Sequence, residues 1–421
     1  MRIAVIISVF FTLYGLLHLY AFLKVRGAFS LSIWGSISLA LFMAFMVFFP
    51  ILVRVLERYG MESVLKVLAY TGYTWMGLLF LFVCAAFVMD IYGLLLSVVT
   101  RIFHWDLGRW MLSSKSTFFI SLAVSVLVGV YGQIEAINIR TERVVIKSLK
   151  IPENVGKLRI VQISDVHLGL IMGEWRLERI LKEVRRAQPD ILVSTGDLLD
   201  GQVNDISRMA DKVGDIRTPY GKYAVTGNHE FYAGIGRSLA FTEEAGFTVL
   251  RGEKLEIPGL IVMAGVDDAT ANRFGQHGEI SEKQLLSDLP RDRFVVLLKH
   301  RPLVESGSEG LFDLQLSGHT HGGQIFPFSL IIKLLYPIDR GLLPLRDGAF
   351  LYVNRGSGTW GPPMRFLVPP EVSIIDLVHG MPIRLTQNRL IPQDSMLKRL
   401  LKSPSMAVLQ SSLTGHRIRS R

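Results

Sequence analysis

The sequence predicts N-terminal transmembrane helices followed by an α/β domain. Three observations carry that reading. Long apolar runs with few charges fill the first third of the chain. From about residue 141 short β-rich runs alternate with amphipathic helical ones. Five of those β-rich runs end in a side chain able to bind a metal ion. Half of the 421 residues are hydrophobic and the mean hydropathy is positive, which is high for a soluble protein and reflects the uneven first third.

Four stretches, roughly 3–23, 31–53, 67–89 and 117–137, are each near the ~20 residues needed to cross a bilayer. They lack the polar face of a globular helix. The apolar run of the third continues past Asp90 to about Val99, so its span can slide C-terminally. Asp90 reads as a helix end rather than as a functional intramembrane acid. Arg2 before an apolar run has the form of a signal peptide. The run is long, however, and no small-residue cleavage site precedes Lys24 and Arg26, so a retained anchor is expected.

Arg2, Arg54, Arg58, Lys66, Arg140, Arg143, Lys147 and Lys150 fall on one side of such a membrane region, and Lys24, Arg26, Arg101, Arg109 and Lys115 on the other. The richer side is expected to be cytoplasmic, and the C-terminal domain with it. The lone Cys84 forms no disulfide within one chain and reads as a small buried hydrophobe. The net charge is +10, and Lys398, Arg399, Lys402, Arg417, Arg419 and Arg421 face only Asp394 near the end. Such a tail either meets anionic membrane lipids or is solvated. No aromatic-interleaved basic patch points to a nucleic-acid partner. The expected division is a membrane region over 1–140, a domain over 141–385 and a basic tail over 386–421.

In the second region "LRIVQIS" (158–164) reads as a strand and "EWRLERILKEVRRA" (174–187) as a helix with an apolar stripe of Trp175, Leu177, Ile180, Leu181 and Val184. Further strands are expected at 190–196, 223–227, 259–265, 294–300, 314–318, 349–356 and 371–377. Fully apolar strands alternating with helices predict sheets covered by helices on their outer faces. "AGIGRS" (233–238) reads as a turn, because it lacks the rest of a nucleotide fingerprint. "FPFSLIIKLLYPIDRGLLP" (326–344) is either a membrane-facing flap or a loop packed on the core.

The residues just beyond the strands are the informative ones. Asp165 and His167 come after the first strand, Asp197 and Asp200 after the second, and Asn228, His229 and Glu230 after the third. His300 ends another, and His319 and His321 come after "LQLSG". Ligands in open α/β sheets bind beyond the carboxyl ends of strands, so these residues should converge. Residues i and i+2 at a strand end point to one side, so Asp165/His167 and His319/His321 can each present two ligands. The neighbouring glycines let the backbone turn sharply.

Seven groups, Asp165, His167, Asp197, Asn228, His300, His319 and His321, exceed one tetrahedral zinc site. They suit two ions sharing a carboxylate, with Asp197 on the middle strand as the bridge. Two divalent ions outweigh two aspartates, which favours hydroxide and an anionic substrate: the electrostatics of two-metal phosphoester hydrolysis. The ligand types suit Mn, Fe, Zn or Co. His229 would contact phosphoryl oxygens or protonate the leaving alkoxide. Glu230 reads as structural. Asp200 is either a partner behind the ligands or a helix N-cap. His18, His104 and His379 carry no assignment.

The motifs "SDVHLG", "STGDLLD", "TGNHE", "LLKHRP" and "SGHTHGGQ" resemble those of the calcineurin-like metallophosphoesterase family over roughly residues 155–380. The resemblance implies a four-layer fold, a sandwich of two β-sheets flanked by helices, with a dinuclear site at the strand ends. It implies that Asp165, His167, Asp197 and His321 hold one ion, that Asp197, Asn228, His300 and His319 hold the other, and that His229 is the catalytic histidine. Residues 351–377 also resemble a membrane-associated or exported branch with relatives linked to lipid and nucleotide-sugar phosphodiester cleavage. The expectation is a membrane-anchored phosphoesterase acting on a phosphodiester, pyrophosphate or phosphomonoester bond through a metal-bound hydroxide, with a lipid-linked substrate as one reading. The alternative is a phosphoesterase-like domain that binds partners without turnover. The presence of every ligand together with His229 argues against it.

Overall fold

Long apolar runs make long helices, and among the described residues the computed structural model has four of them. They are α1 (Arg2–Ala28), α2 (Ile33–Leu56), α3 (Glu62–Phe103) and α4 (Ser114–Ala136). Each is long and apolar enough to cross a membrane. The structure describes residues 2–56, 62–201, 206–276 and 280–381. The basic tail expected over 386–421 and Arg58 of the charge asymmetry lie outside the described residues.

The chain divides into two units, one of Met1–Ile134 with Gly361–Phe366, the other of Glu135–Trp360 with Leu367–Arg421. In the helical unit the reading of Asp90 as a helix end is corrected. Asp90 lies inside α3, a single helix of 42 residues. Its carboxylate is ion-paired to Lys24 and accepts a hydrogen bond from the Tyr20 hydroxyl at 2.5 Å. Partners on α1 neutralise the charge sideways, so nothing forces the helix to stop. His18 is a satisfied core histidine: Nδ1 meets the Tyr14 carbonyl at 2.9 Å and Nε2 faces the Trp75 indole nitrogen at 3.0 Å. Cys84 is half-buried rather than buried. The short segment Gly361–Phe366 packs here, Arg365 N donating to the Gly132 carbonyl at 2.8 Å.

The second unit holds two mixed six-stranded sheets. The first has the order β1 (Arg140–Ser148), β12 (Glu371–His379), β2 (Lys157–Ile163), β3 (Ile191–Ser194), β4 (Lys222–Ala224), β5 (Thr248–Val249). The second runs β10 (Gly341–Pro344), β11 (Phe350–Val353), β9 (Leu314–Ser317), β8 (Val295–Leu298), β7 (Ile261–Gly265), β6 (Glu253–Ile257). β2, β3 and β4 are mutually parallel, as are β7, β8 and β9. Alternation along buried strands sends Ile160, Ile191, Val193, Met263, Val296 and Leu314 into the core between the sheets.

The opposite faces are covered as expected. Val161, Ile163 and Leu192 meet α5 (Glu174–Ala187), α6 (Ile206–Gly214) and α8 (Ile235–Glu244). Val262, Ala264, Val295 and Leu297 meet α9 (Glu282–Leu286). The stripe of α5 differs in one position: Leu177, Ile180, Leu181 and Val184 are buried, but Trp175 is exposed and lies under the Arg179 guanidinium. The 326–344 segment is α10 (Phe328–Leu335) followed by the edge strand β10. Gly234 (φ 104°) separates α7 (Asn228–Ala233) from α8, which is the turn expected of "AGIGRS".

Candidate metal centre

Parallel pairing brings the carboxyl ends of β2, β3 and β4 side by side, and those of β8 and β9. The loops beyond them carry the predicted residues. Asp165, His167, Asp197, Asn228 and His300 are buried, and His319 and His321 are partly so. Asp165, His167, Asp197, His300, His319 and His321 come together, and Asn228 stands in the chain between Gly227 and His229, both of which touch Asp197, but strand alternation does not bring them there. β2 ends at Ile163 and β9 at Ser317, before the pairs begin. Asp165, His167, Asp197, His319 and His321 have φ between 48° and 72°. Left-handed backbone is costly for residues with a Cβ, and its concentration here marks a site held by surrounding structure. The i, i+2 argument therefore does not describe how these residues are presented: they lie on left-handed loops beyond the strand ends. His321 groups with Asp165 and His167, and His319 with Asp197 and His300.

The glycines serve close approach to these ligands. A Cβ on Gly318 would lie 1.8 Å from Ser164 Oγ and 2.3 Å from an Asp165 oxygen. One on Gly227 would lie 2.2 Å from Asp197 Oδ1. Any side chain at either position would push a carboxylate out of the cluster.

Ligand atoms assemble in overlapping groups: Asp165, His167 and His321; His167, Asp197 and His229; Asp197, His300 and His319. His167 Nε2 and His321 Nε2 are 3.0 Å apart, and His300 Nε2 and His319 Nδ1 are 3.1 Å apart. Asp197 Oδ2 lies 3.7 Å from His167 Nε2 and 3.2 Å from His300 Nε2, reaching both pairs. Asp165 Oδ1 is 3.5 Å from His321 Nε2. Facing imidazole nitrogens at such distances need a proton or a cation between them, and the spacings suit ligands around ions bound at ~2 Å. The buried Asn228 Oδ1 has no hydrogen-bond partner among the described residues. An orphan buried amide oxygen is costly unless an ion completes it. The donor set therefore fits a metal site, with Asp197 within reach of both imidazole pairs.

Burial penalises charge throughout. It pushes Asp165 up to about 6 and His167 down to about 4. Burial also holds His319 well below the usual imidazole value, and the Arg301 guanidinium adds to that. These two imidazoles are thus kept neutral, the form that binds metal. Asp197 behaves oppositely: burial opposes its charge, but the His300 and His229 imidazoles prevail and hold it well below the carboxylate range. Burial likewise opposes charge on His300, which Asp197 nevertheless pushes up to about 10.

Two residues left open by sequence find places. Asp200 Oδ1 lies 2.6 Å from His229 Nδ1, so it is a partner of His229 and turns the other ring nitrogen toward the cluster. His229 also meets the Tyr232 and Trp360 rings at 5.4 and 5.6 Å. Glu230 is a brace: its carboxylate accepts from Gly227 N at 2.7 Å, Asp197 N at 2.9 Å and Leu198 N at 2.6 Å. Sequence reasoning missed the buried pair Arg301–Asp268, joined at 2.6 and 3.2 Å, and Tyr336, whose ring lies 5.6 Å from His319. Arg301 is next to His300 in the chain and Asp268 comes shortly after β7, but no pattern in the chain links them.

Comparison with known proteins agrees with this geometry. The family model described as calcineurin-like phosphoesterase matches residues 158–323. An uncharacterized metallophosphoesterase of Aquifex aeolicus (strain VF5) is 41% identical over 255 residues, covering 60% of this chain and 97% of that protein. An uncharacterized metallophosphoesterase of Campylobacter jejuni is 34% identical over 264 residues, covering 62% of this chain and 69% of that protein. A zebrafish (Danio rerio) protein described as a transmembrane protein with metallophosphoesterase domain is 32% identical over 273 residues, covering 61% of this chain and 62% of its own length.

Proposed function

This chain belongs to the calcineurin-like metallophosphoesterase family, whose members are metal-dependent phosphoesterases, and from that premise we propose a membrane-anchored hydrolase of a lipid-linked phosphodiester or pyrophosphate. The observation that carries the reading is one buried carboxylate, Asp197, reached by two pairs of facing imidazoles. Asp165, His167, Asp197 and His321 would hold one ion, and Asp197, Asn228, His300 and His319 the other. Such ions lower the pKa of water and bind phosphoryl oxygens.

The protein's own groups do the rest. Glu230 fixes the backbone of Asp197 through amide hydrogen bonds. Asp200 orients His229, whose far nitrogen is placed to give a proton to the leaving oxygen. The metal domain spans 141–385 in this reading. It faces the cytoplasm, on the Lys/Arg asymmetry of the helices, and the basic sequence of 386–421 would favour anionic lipid. Phosphomonoesters and partner binding without turnover are the competing readings.

The purified full chain with added Mn²⁺ should hydrolyse an aryl phosphodiester, and Asp197→Ala and His229→Ala should each lose that activity while the protein stays folded by circular dichroism. Full activity in both variants would refute the site. Turnover confined to water-soluble phosphomonoesters would remove the lipid-linked substrate.

A further inference from the structure

The segment after the second histidine loop is tied to the metal centre at three points. Gly323 (φ 81°) lets the Ser329 backbone approach so closely that a Cβ at 323 would lie 2.4 Å from it. Thr320 Oγ1 donates to the Asp339 carbonyl at 2.6 Å. Tyr336 stands against His319. Between these ties α10 turns Ser329 and Ile332 inward. Its other face is apolar: Phe328, Leu330, Ile331 and Leu334 are 43 to 53% exposed, and Phe326 just before them is 38% exposed. Lys333 is the one charge on the helix. A globular helix shows water a polar face; this one shows it core residues, beside the site.

We propose that α10 seats this unit on a bilayer, its Phe/Leu/Ile row immersed at the boundary of headgroups and acyl chains. The histidine loop then lies at headgroup height, and the phosphoester it takes belongs to a lipid headgroup. The docking stands on the exposed face; the headgroup as substrate rests on the phosphoesterase reading above. A lipid surface fits better than a second copy of the chain. Five side chains offer a few hundred Å², short of the ~800 Å² per partner of a stable protein interface. The same chain carries four bilayer-length helices. Residues 137–139 alone separate α4 from β1, about 10 Å of extended chain, so a bilayer crossed by α4 is within the unit's reach. Lys333 can lay its stem along the apolar face and its ammonium among anionic headgroups.

The test uses the full chain in nanodiscs of phosphatidylethanolamine and phosphatidylglycerol, in a Cys84→Ala background. Nitroxides are placed singly through Leu330→Cys, Ile331→Cys and Leu334→Cys. Leu127→Cys on α4 is the lipid control and Glu153→Cys the aqueous control. Electron paramagnetic resonance compares collision with oxygen and with a water-soluble nickel chelate. The α10 labels should give an oxygen-to-nickel ratio well above the aqueous control and at or below that of the mid-helix lipid control, as for side chains immersed at the boundary. A ratio equal to that at Glu153 overturns the proposal. So does spin–spin broadening that vanishes on dilution with unlabelled chain, which would make the occupant a second copy. Protection from both reagents without broadening overturns it too, since other protein then covers the face. The readout needs no turnover. Labels in lipid on a chain that hydrolyses nothing would sink the function and keep the docking face; labels in water on an active chain would do the reverse.

Discussion

The helical unit and the metallophosphoesterase unit handle charge in opposite ways. In the first, Asp90 is settled by its neighbours: it pairs with Lys24 and Tyr20, and 42 and 23% of the two charged side chains stay exposed. In the second, two aspartates and four imidazoles gather at loop ends, buried except for His319 and His321, which are partly so, and Asn228 Oδ1 is left unsatisfied. A local pair lets a helix continue. A buried cluster that its own members do not complete calls for an ion. The difference teaches that burial of charge reads as structure where the partner is at hand and as function where it is missing.

The largest effect should come from breaking the cluster at its centre. Asp197→Ala removes the carboxylate common to both groups, so metal content measured by mass spectrometry should fall from two ions to one or none and hydrolysis should fall to background. Retention of both ions would separate Asp197 from the ligand set.

His229→Ala should lower kcat by ~10²–10⁴ while metal content stays at two, because the lost group moves a proton rather than holding an ion. Loss of metal instead would make His229 a ligand, a role that its place in the His167–Asp197 group allows.

The third comparison is with a buried pair that is complete. Burial opposes the charge of Asp268, but the Arg301 guanidinium prevails and holds it below the ordinary carboxylate value. A depressed folded pKa contributes stability above the unfolded value, ~3.9, and loses it as pH falls below that. Asp268→Asn should cost about 3–5 kcal/mol at neutral pH, as expected when one partner of a buried ion pair is removed. Its stability should also fall less steeply than the parent's between neutral pH and acid. Chemical denaturation at several pH values reads both; parallel pH profiles would exclude the pair as a source of acid sensitivity.

The smallest effect belongs to the helical unit. Asp90→Asn should change stability in detergent by about 1 kcal/mol or less, because polar contacts between membrane helices are individually weak. Refolding titrations would show it, and a loss comparable to that of Asp268→Asn would erase the contrast between the two units.

Every ligand candidate was legible because side-chain chemistry sits at recognisable places, immediately after apolar strand runs. The backbone state of those places was not. Asp165, His167, Asp197, His319 and His321 adopt left-handed φ because distant loops hold them there, and nothing in "DVH" or "HTH" alone announces it. The two possibilities for Asp200 needed the 2.6 Å approach of His229 to choose between them. Asp90 was misread for the matching reason: its partners lie on another helix, far off in sequence.

By itself, then, the sequence determined the hydrophobic periods, and with them the long helices, the buried strands and the residue types at each strand end, since these depend on local composition and spacing. Only the tertiary structure decided which strand ends share a site, which imidazoles face one another and which carboxylate lies between them. It also decided that the row of Phe328, Leu330, Ile331 and Leu334 stays about half exposed. Those outcomes depend on strand order and on contacts between residues remote in the chain, which no local pattern encodes.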